Sequence, residues 1–324
     1  MTASIAPADA PQALTFGEAL VVLVQSEPGP MELSTAFRRG LGGAEANVAV
    51  GLAAHGVTTA MLTRVGDDGF GRYLIGKLAS LGVDTSAITV DPIRQTGVYI
   101  KEVGSSTGAA TDLGEGLSAM HYYRSGSAGA RLSRRVLAER KVHAALSGAA
   151  LIHTSGITPA LSRSAARAQH ALRDLARPGA QIAFDLNWRP ALWRGREAKA
   201  PRILAEYLRA SDIALTGVAE AATVFGTATP EEIRRRFPEP RRLVVKDDGG
   251  AVVAFDGDER VVVPAHRIEV VEATGAGDAF AAGLLAGLLE GLSLRASVVK
   301  GHNTAVTVLT STRDHVIPER RVTQ

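Results

Sequence analysis

Short β-branched runs alternate along this chain with stretches of helical spacing, and that alternation limits the fold more than any other feature. Strand-like runs fall at residues 14–16, 58–63, 149–153, 181–185, 212–215 and 243–246. Helical patterns occupy 44–55, 70–81, 133–146, 161–176 and 198–209. The strand-like runs are apolar throughout rather than alternating, so both faces of the sheet must be covered. A βαβα order of this kind predicts an α/β protein with a mainly parallel sheet between two layers of helices. Runs at 252–255, 261–263 and 268–271 predict an antiparallel edge, followed by helices over 276–289 and 294–310. With 46% hydrophobic and 21% charged residues among 324, a large core can be filled and global disorder is excluded. Aromatics are only 5% against 34 glycines, which suits a layered α/β protein with tight turns better than a β-sandwich.

Two segments break the alternation. Residues 18–40 and 95–126 carry strand-like pieces at 21–24, 97–103 and 120–124 with no helices between them. They are expected to form a small separate β-sheet, a lid over the ligand edge of the main sheet, with GSSTGAATDLGEG (104–116) as a flexible loop within it. Residues 1–12, rich in Ala and Pro, are expected to form a disordered tail, and 13–324 one domain. The tail lacks the basic start and apolar core of a signal peptide. The stretch 279–289 is interrupted by glycine and far shorter than the ~20 apolar residues that span a bilayer. Lys and Arg total 36 against 33 Asp and Glu, a net charge of +3 with no basic block, which argues against nucleic acid and membrane partners. The absence of cysteine removes disulfides, thiolate zinc sites and a Cys nucleophile, and suits the reducing cytoplasm expected as its location.

Chemistry concentrates at ATGAGDAF, residues 273–280. It follows an expected strand and opens an apolar helix. Its small residues let backbone N–H groups approach a ligand, and the helix N-terminus adds partial positive charge. Such a turn suits a phosphate or a developing phosphoryl oxyanion. Asp278 beside an anion site makes sense as the acceptor of a proton from an attacking hydroxyl. By residue chemistry alone, a glycine-rich helix start with an aspartate on its dipole stays open.

Together with LGGAEANVAVGLAAHG (41–56) and TRVGDDGFG (63–71), this segment resembles the ribokinase-like, or PfkB, carbohydrate kinases over roughly residues 14–318. The segments FGE (16–18), GGAEAN (42–47), YYRSGSA (122–128), SGITPALS (155–162) and FDLNWRPALW (184–193) are most similar to its 2-keto-3-deoxygluconate kinases. The resemblance implies a ribokinase-like three-layer α/β/α sandwich with a β-sheet lid. It also implies an ATP- and Mg²⁺-dependent transfer to a primary hydroxyl of a sugar acid. A neutral sugar such as fructose or ribose, or a catalytically silent sugar binder, is the alternative.

Carried over by the resemblance, Asp278 is the base on an anion-binding turn of Gly275, Ala276 and Gly277. Gly43, Ala44 and Asn47 line the sugar floor, and Tyr99, Tyr122 and Arg124 come from the lid. Arg189 meets both substrate and nucleotide, with Asn187 nearby. Thr216, Lys246 and Gly249 border the nucleotide, His302 or Asn303 lies near adenine, and Asp314 near the sugar. Glu220 orients Mg²⁺ through water. Arg124 and Arg189, each able to present a planar fork, are expected to clamp the substrate carboxylate. The chain departs from the family pattern at Gly217, where an Asn is usual, and at Lys246-Asp247-Asp248-Gly249-Gly250, one residue short of the usual loop. The lid face is expected to be covered by self-association into a homo-oligomer.

Other signals carry little. GRYLIGKL (71–78) approaches a phosphate-loop pattern but ends in Leu78, which has no hydroxyl for Mg²⁺. No G-x-G-x-x-G follows the first strand. The eight histidines show no metal-ligand spacing, and His121 and His153 are expected as packing or surface residues. The run 234–236 is expected as a solvated helix face.

Overall fold

The apolar runs become the middle of an eight-stranded sheet in a computed structural model that describes residues 11–247, 249–311 and 316. The first strands are β1 (Ala13–Phe16), β2 (Leu20–Gln25), β3 (Phe37–Gly42), β4 (Thr59–Leu62) and β5 (Arg64–Gly66). Then come β6 (Thr89–Asp91), β7 (Val98–Val103), β8 (Ser118–Tyr123), β9 (Leu151–Ser155) and β10 (Gln181–Asp185). The last are β11 (Ile213–Gly217), β12 (Arg242–Lys246), β13 (Ala251–Asp256) and β14 (Glu259–Pro264). The main sheet has the order β14-β13-β12-β11-β10-β9-β1-β4. Its six strands from β4 to β12 run parallel, and β13 and β14 complete an antiparallel edge.

Because side chains alternate across a strand, neighbours such as Leu151 and Ile152, or Ala183 and Phe184, enter different cores. Leu151, Ala183, Ile213 and Val244 pack under the helices Ala44–Ala54, Ala276–Leu289 and Leu294–Leu309. On the opposite face, Ile152 and Ile182 meet the helices Arg140–Gly148 and Arg163–His170. There too, Phe184, Ala214 and Val245 meet Ala200–Ala210 and Val218–Phe225. The result is the three-layer α/β/α sandwich expected.

The lid is a four-stranded sheet, β3-β2-β7-β8. Leu20, Val22 and Tyr99 form a small core on one face with Val24 and Met120. Val21 and Leu41 on the other face pack toward the helix Gly69–Ser80. Strand β3 starts within the expected lid segment 18–40 and runs past it to Gly42, although its FRRGLG sequence has no strand pattern. The short pair β5 and β6 was not legible either.

Three expectations are corrected. Residues 268–271 form no strand: Pro264 ends β14, Val270 and Val271 are exposed, and the Val271 and Glu272 N–H groups donate to the Leu309 carbonyl. The expected helix 133–146 is broken into Arg134–Leu137 and Arg140–Gly148 by Glu139 in extended conformation. That bend lets Val136, Leu137, Val142 and Leu146 enter one core. The expected helix 161–176 is three pieces: Ser162 ends Ile157–Leu161 and caps Arg163–His170 by accepting from the Ala165 N–H, and Leu172–Leu175 follows. Of the expected tail 1–12, residues 1–10 lie outside the described residues, as do Asp248 and Asp314; Pro11 is buried and the Gln12 carbonyl accepts from the Ala150 and Leu151 N–H groups, so the chain is already packed before β1.

Candidate active site

The C-terminal ends of β10, β11 and β12 open into a cleft of about 660 Å³ between the sheet and the lid. Asp185, Asn187, Arg189, Glu220 and Lys246 line it from the sheet side, Tyr99, Met120 and Tyr122 from the lid, and 273–275, Gly277 and Asp278 from the glycine-rich turn. Parallel strands place such crevices at their carboxyl ends, where helix N-termini point inward.

The turn is built for close approach. Gly275 is the N-cap of the helix Ala276–Leu289 and has φ +83°, a left-handed conformation that strains any residue with a β-carbon. Its carbonyl accepts from the Ala279 N–H at 2.9 Å. Before it, Glu272 Oε1 accepts from both the Thr274 N–H (2.9 Å) and the Thr274 hydroxyl (2.7 Å). Glu272 also pairs with Lys101 of β7 in the lid.

Asp278 lies in the first turn of that helix. Asn47 Nδ2 donates to its Oδ2 at 2.8 Å across 231 residues of sequence. Asn47 is buried in the first turn of the helix Ala44–Ala54. That helix starts at Gly43 with φ +112°, where a β-carbon would lie 2.3 Å from the Glu18 carbonyl oxygen. Two glycine-started helices thus converge so that an amide from one holds the carboxylate of the other. Part of Asp278 opens to the cleft, yet loss of water raises its pKa to about 6, opposed by the Asn47 hydrogen bond and the positive charges of Arg189 and Lys246.

Three more charged groups complete the floor. Lys246 Nζ donates to Asp185 Oδ2 at 3.1 Å and lies 3.7 Å from the space a β-carbon at Gly277 would take. Burial works against its ammonium, but Asp185 and Glu220 hold its pKa above the ordinary value. Glu220 accepts from the Gly217 N–H (3.0 Å) and the Trp188 N–H (2.9 Å). Burial and the charge of Asp185 raise its pKa. Asp185 Oδ1 and Asn187 Oδ1 are buried with no protein partner, although both residues line the cleft. Among the described residues Asn187 alone has positive φ (39°) without being glycine, a conformation Asn tolerates better than most.

Beneath the floor lies a carboxyl that the sequence reading did not assign. Glu45 is fully buried. Its Oε1 accepts from Ser155 Oγ (2.6 Å) and Thr158 Oγ1 (3.2 Å), while Oε2 has no partner. Burial raises its pKa to about 7, and the charge of Asp278 adds to the rise.

The expected residues divide into those the cleft gathers and those it does not. Asp278, Gly275, Gly277, Tyr99, Tyr122, Asn187, Arg189, Lys246 and Glu220 line it. Asn47 reaches it through Asp278, and Gly43 and Ala44 start the helix that carries Asn47. Arg124 does not line it. Its NH1 donates to buried Glu18 at 3.0 Å, and its guanidinium lies 4.3 Å from the Tyr122 ring, so it backs the lid. Thr216 is buried in β11 and turned to the Gly217 carbonyl. Gly249 lies on the exposed loop after β12. Asn303 Oδ1 meets His266 Nε2 at 3.0 Å and His302 packs on Phe280, both away from the cleft lining. Glu18, Glu45, Asp185, Trp188, Lys101 and Glu272 were missed. Four of them lie in the motifs quoted above, where a charge or an indole within an apolar or glycine-rich segment was the available signal.

Comparison with known proteins gives the family and the fold. The model of the pfkB family carbohydrate kinases matches residues 11–319. The 2-dehydro-3-deoxygluconokinase of Thermoproteus tenax is 33% identical over 292 residues, covering 89% of this chain and 86% of that protein. The crystal structure of a PfkB protein from Polaromonas superposes with a TM-score of 0.82 at 30% identity, covering 93% of this chain and 97% of that one. A sugar kinase from Pyrococcus horikoshii in complex with ATP superposes with a TM-score of 0.79 at 25% identity, covering 95% of each chain.

Proposed function

We propose that this chain, which belongs to the pfkB family of carbohydrate kinases, transfers the γ-phosphoryl group of ATP to a primary hydroxyl of a 2-keto-3-deoxy sugar acid. The observation that carries this reading is the Asn47–Asp278 hydrogen bond on the glycine turn, at the floor of a cleft roofed by lid tyrosines. The substrate class follows from the 2-dehydro-3-deoxygluconokinase that is 33% identical over most of the chain, the 2-dehydro name being the 2-keto sugar acid.

Asn47 holds one carboxylate oxygen of Asp278 and leaves the other to accept the hydroxyl proton. With a pKa of about 6, Asp278 is ionised at neutral pH yet basic enough to take that proton as the P–O bond forms. The N–H groups of the turn at 275–277 face the place where charge gathers on the phosphoryl oxygens. Lys246 supplies a positive charge from below and Arg189, exposed at the rim, one from the side. The cleft fits a nucleotide with its divalent ion: Asp185 presents an unpartnered oxygen, and Glu220 a second carboxylate. Mg²⁺ bound with ATP would neutralise phosphate charge there. The lid strands, with Tyr99 and Tyr122, exclude water from the transfer and limit hydrolysis.

One observation favours the neutral-sugar reading. The carboxylate clamp expected of Arg124 and Arg189 has one arm held on Glu18. Arg189, and Arg124 only by exchanging Glu18 for substrate, would meet a sugar acid. ADP release from Mg-ATP decides between them, measured on 2-keto-3-deoxygluconate, gluconate, fructose and ribose. The proposal expects the highest kcat/KM on 2-keto-3-deoxygluconate. Preference for fructose supports the neutral-sugar reading, and no ADP release on any substrate supports a silent binder.

We further propose a single kinase domain over 13–324, a cytoplasmic location and a homo-oligomer. Exposed Phe37, Leu117 and Tyr123 on the lid support self-association. Light scattering at micromolar concentration tests it, and a strict monomer contradicts it.

A further inference from the structure

The Lys101–Glu272 pair joins the lid to the anion-binding turn. Lys101 is buried on β7, two residues beyond Tyr99 and therefore on the same, cleft-facing side of that strand. Glu272 spends one carboxylate oxygen on the Thr274 N–H and hydroxyl, the residue before Gly275, and the other on the Lys101 ammonium. A carboxylate in that place has two opposite effects. It fixes Thr274, and with it the direction of the N–H groups that follow. It also brings a negative charge to the edge of a site that must receive phosphate oxygens. Lys101 cancels that charge from the lid, and Glu272 stays ionised: burial acts against its charge, but the hydrogen bonds from Lys101 and Thr274 outweigh it and lower its pKa.

We infer that Lys101 is a positioning residue for phosphoryl transfer: its ammonium neutralises Glu272, so that the carboxylate can shape the turn without repelling the phosphoryl group, and it makes lid placement and turn order one event. The inference rests on the kinase reading above and adds a residue to it. Lys101 acts through Glu272 and Thr274, not by touching the transferred group.

The test compares Lys101→Met, Glu272→Gln and the double variant with wild type. In Lys101→Met the carboxylate near the turn loses its lid counter-charge. Repulsion at low effective dielectric should lower kcat by roughly ten- to a hundredfold, while KM for the sugar acid moves less than about threefold. Glu272→Gln keeps an acceptor for Thr274 and removes the charge, so its loss is milder, about threefold. The double variant should recover part of the loss seen in Lys101→Met, because the repulsive charge beside the turn is gone. Propylammonium added to Lys101→Ala, whose truncation leaves room for the lost chain and its ammonium, should restore part of kcat. A purely structural role predicts the reverse: the double variant is as poor as or poorer than Lys101→Met, and propylammonium is without effect. Hydrogen exchange without nucleotide gives a second readout. Amides at 274–277 should exchange at least tenfold faster in Lys101→Met than in wild type, and unchanged exchange overturns the coupling of lid and turn. Should Lys101→Met not fold, Lys101→Gln and Glu272→Gln carry the same comparison. If wild type itself phosphorylates no sugar, the kinase reading fails, whereas a fully active Lys101→Met in a working kinase defeats only this inference.

Discussion

Replacing Asn47 by Leu tests the base most sharply. Asn47 is buried and donates to Asp278 Oδ2 at 2.8 Å. Leu has the same number of side-chain heavy atoms and the same branch point, and cannot donate. The bond stabilises the charged carboxylate, so its loss must raise the pKa of Asp278. A hydrogen bond to a charged group contributes about 1.5–3 kcal/mol, which at ~1.36 kcal/mol per unit is a rise of roughly one to two pH units. The acid limb of kcat should then move from about pH 6 to roughly pH 7–8. At pH 7 the ionised fraction falls from roughly nine-tenths to between a half and a tenth, and kcat falls two- to tenfold with it. At pH 9 most of kcat should return, apart from what the looser carboxylate costs in alignment. The assay is a pH series of kcat from 5 to 9 under saturating substrates, with Asp278→Asn as control. Asp278→Asn should lose roughly 10²–10⁴-fold and show no acid limb in this range. An acid limb that stays in place or moves down in Asn47→Leu would refute the reasoning, because another group would then be titrating.

Two further perturbations follow from buried charges. Glu45 has a folded pKa of about 7 against an ordinary 4.5, so the folded state binds the extra proton and stability falls as pH rises between those values. By linkage that loss approaches about 3 kcal/mol above pH 7. Glu45→Gln should remove it, and the melting-temperature gain over wild type should grow from pH 5 to pH 8; a constant difference contradicts the burial argument. Arg124→Ala strands Glu18, which is 1% exposed and otherwise bonded to Ser127 Oγ. Breaking a buried pair from one side costs about 3–5 kcal/mol, and Glu18→Gln in the same chain should recover part of it in chemical denaturation. Equal stability of single and double variants would contradict the stranded Glu18 charge as the source of the loss.

Most of the fold was legible because the parallel strands are buried on both faces and write continuous apolar runs, such as QIAFD at β10. The helix start at 275–278 was legible from its glycines, although residue chemistry alone left a plain helix start open and the resemblance was needed to single it out. What stayed hidden has physical reasons. Strand β3 is held by pairing with β2, not by its own sequence, since Phe37, Arg38 and Arg39 are exposed. The stretch 268–271 has strand composition, but with Pro264 ending β14 the Val271 N–H turns to the end of a helix instead. The break at Glu139 has no local signal and is explained only by the core that both helical pieces share. In the site, the resemblance singled out the segments of Asp278 and Asn47, which the fold brings to 2.8 Å of each other. The pairings of Arg124 with Glu18 and of Lys101 with Glu272 join residues more than a hundred positions apart, so no local pattern reveals them.

The account rests on Asp278 drawing a proton from a sugar-acid hydroxyl while the turn receives the phosphoryl group. Phosphorus NMR of the reaction of 2-keto-3-deoxygluconate with Mg-ATP tests this directly, followed in parallel for wild type and Asp278→Asn. The account predicts that wild type forms one phosphomonoester of a primary hydroxyl, in step with ADP, and that Asp278→Asn forms it at least a hundredfold more slowly. Inorganic phosphate as the main product, a phosphate on a secondary hydroxyl, or an Asp278→Asn enzyme that keeps pace with wild type would contradict it.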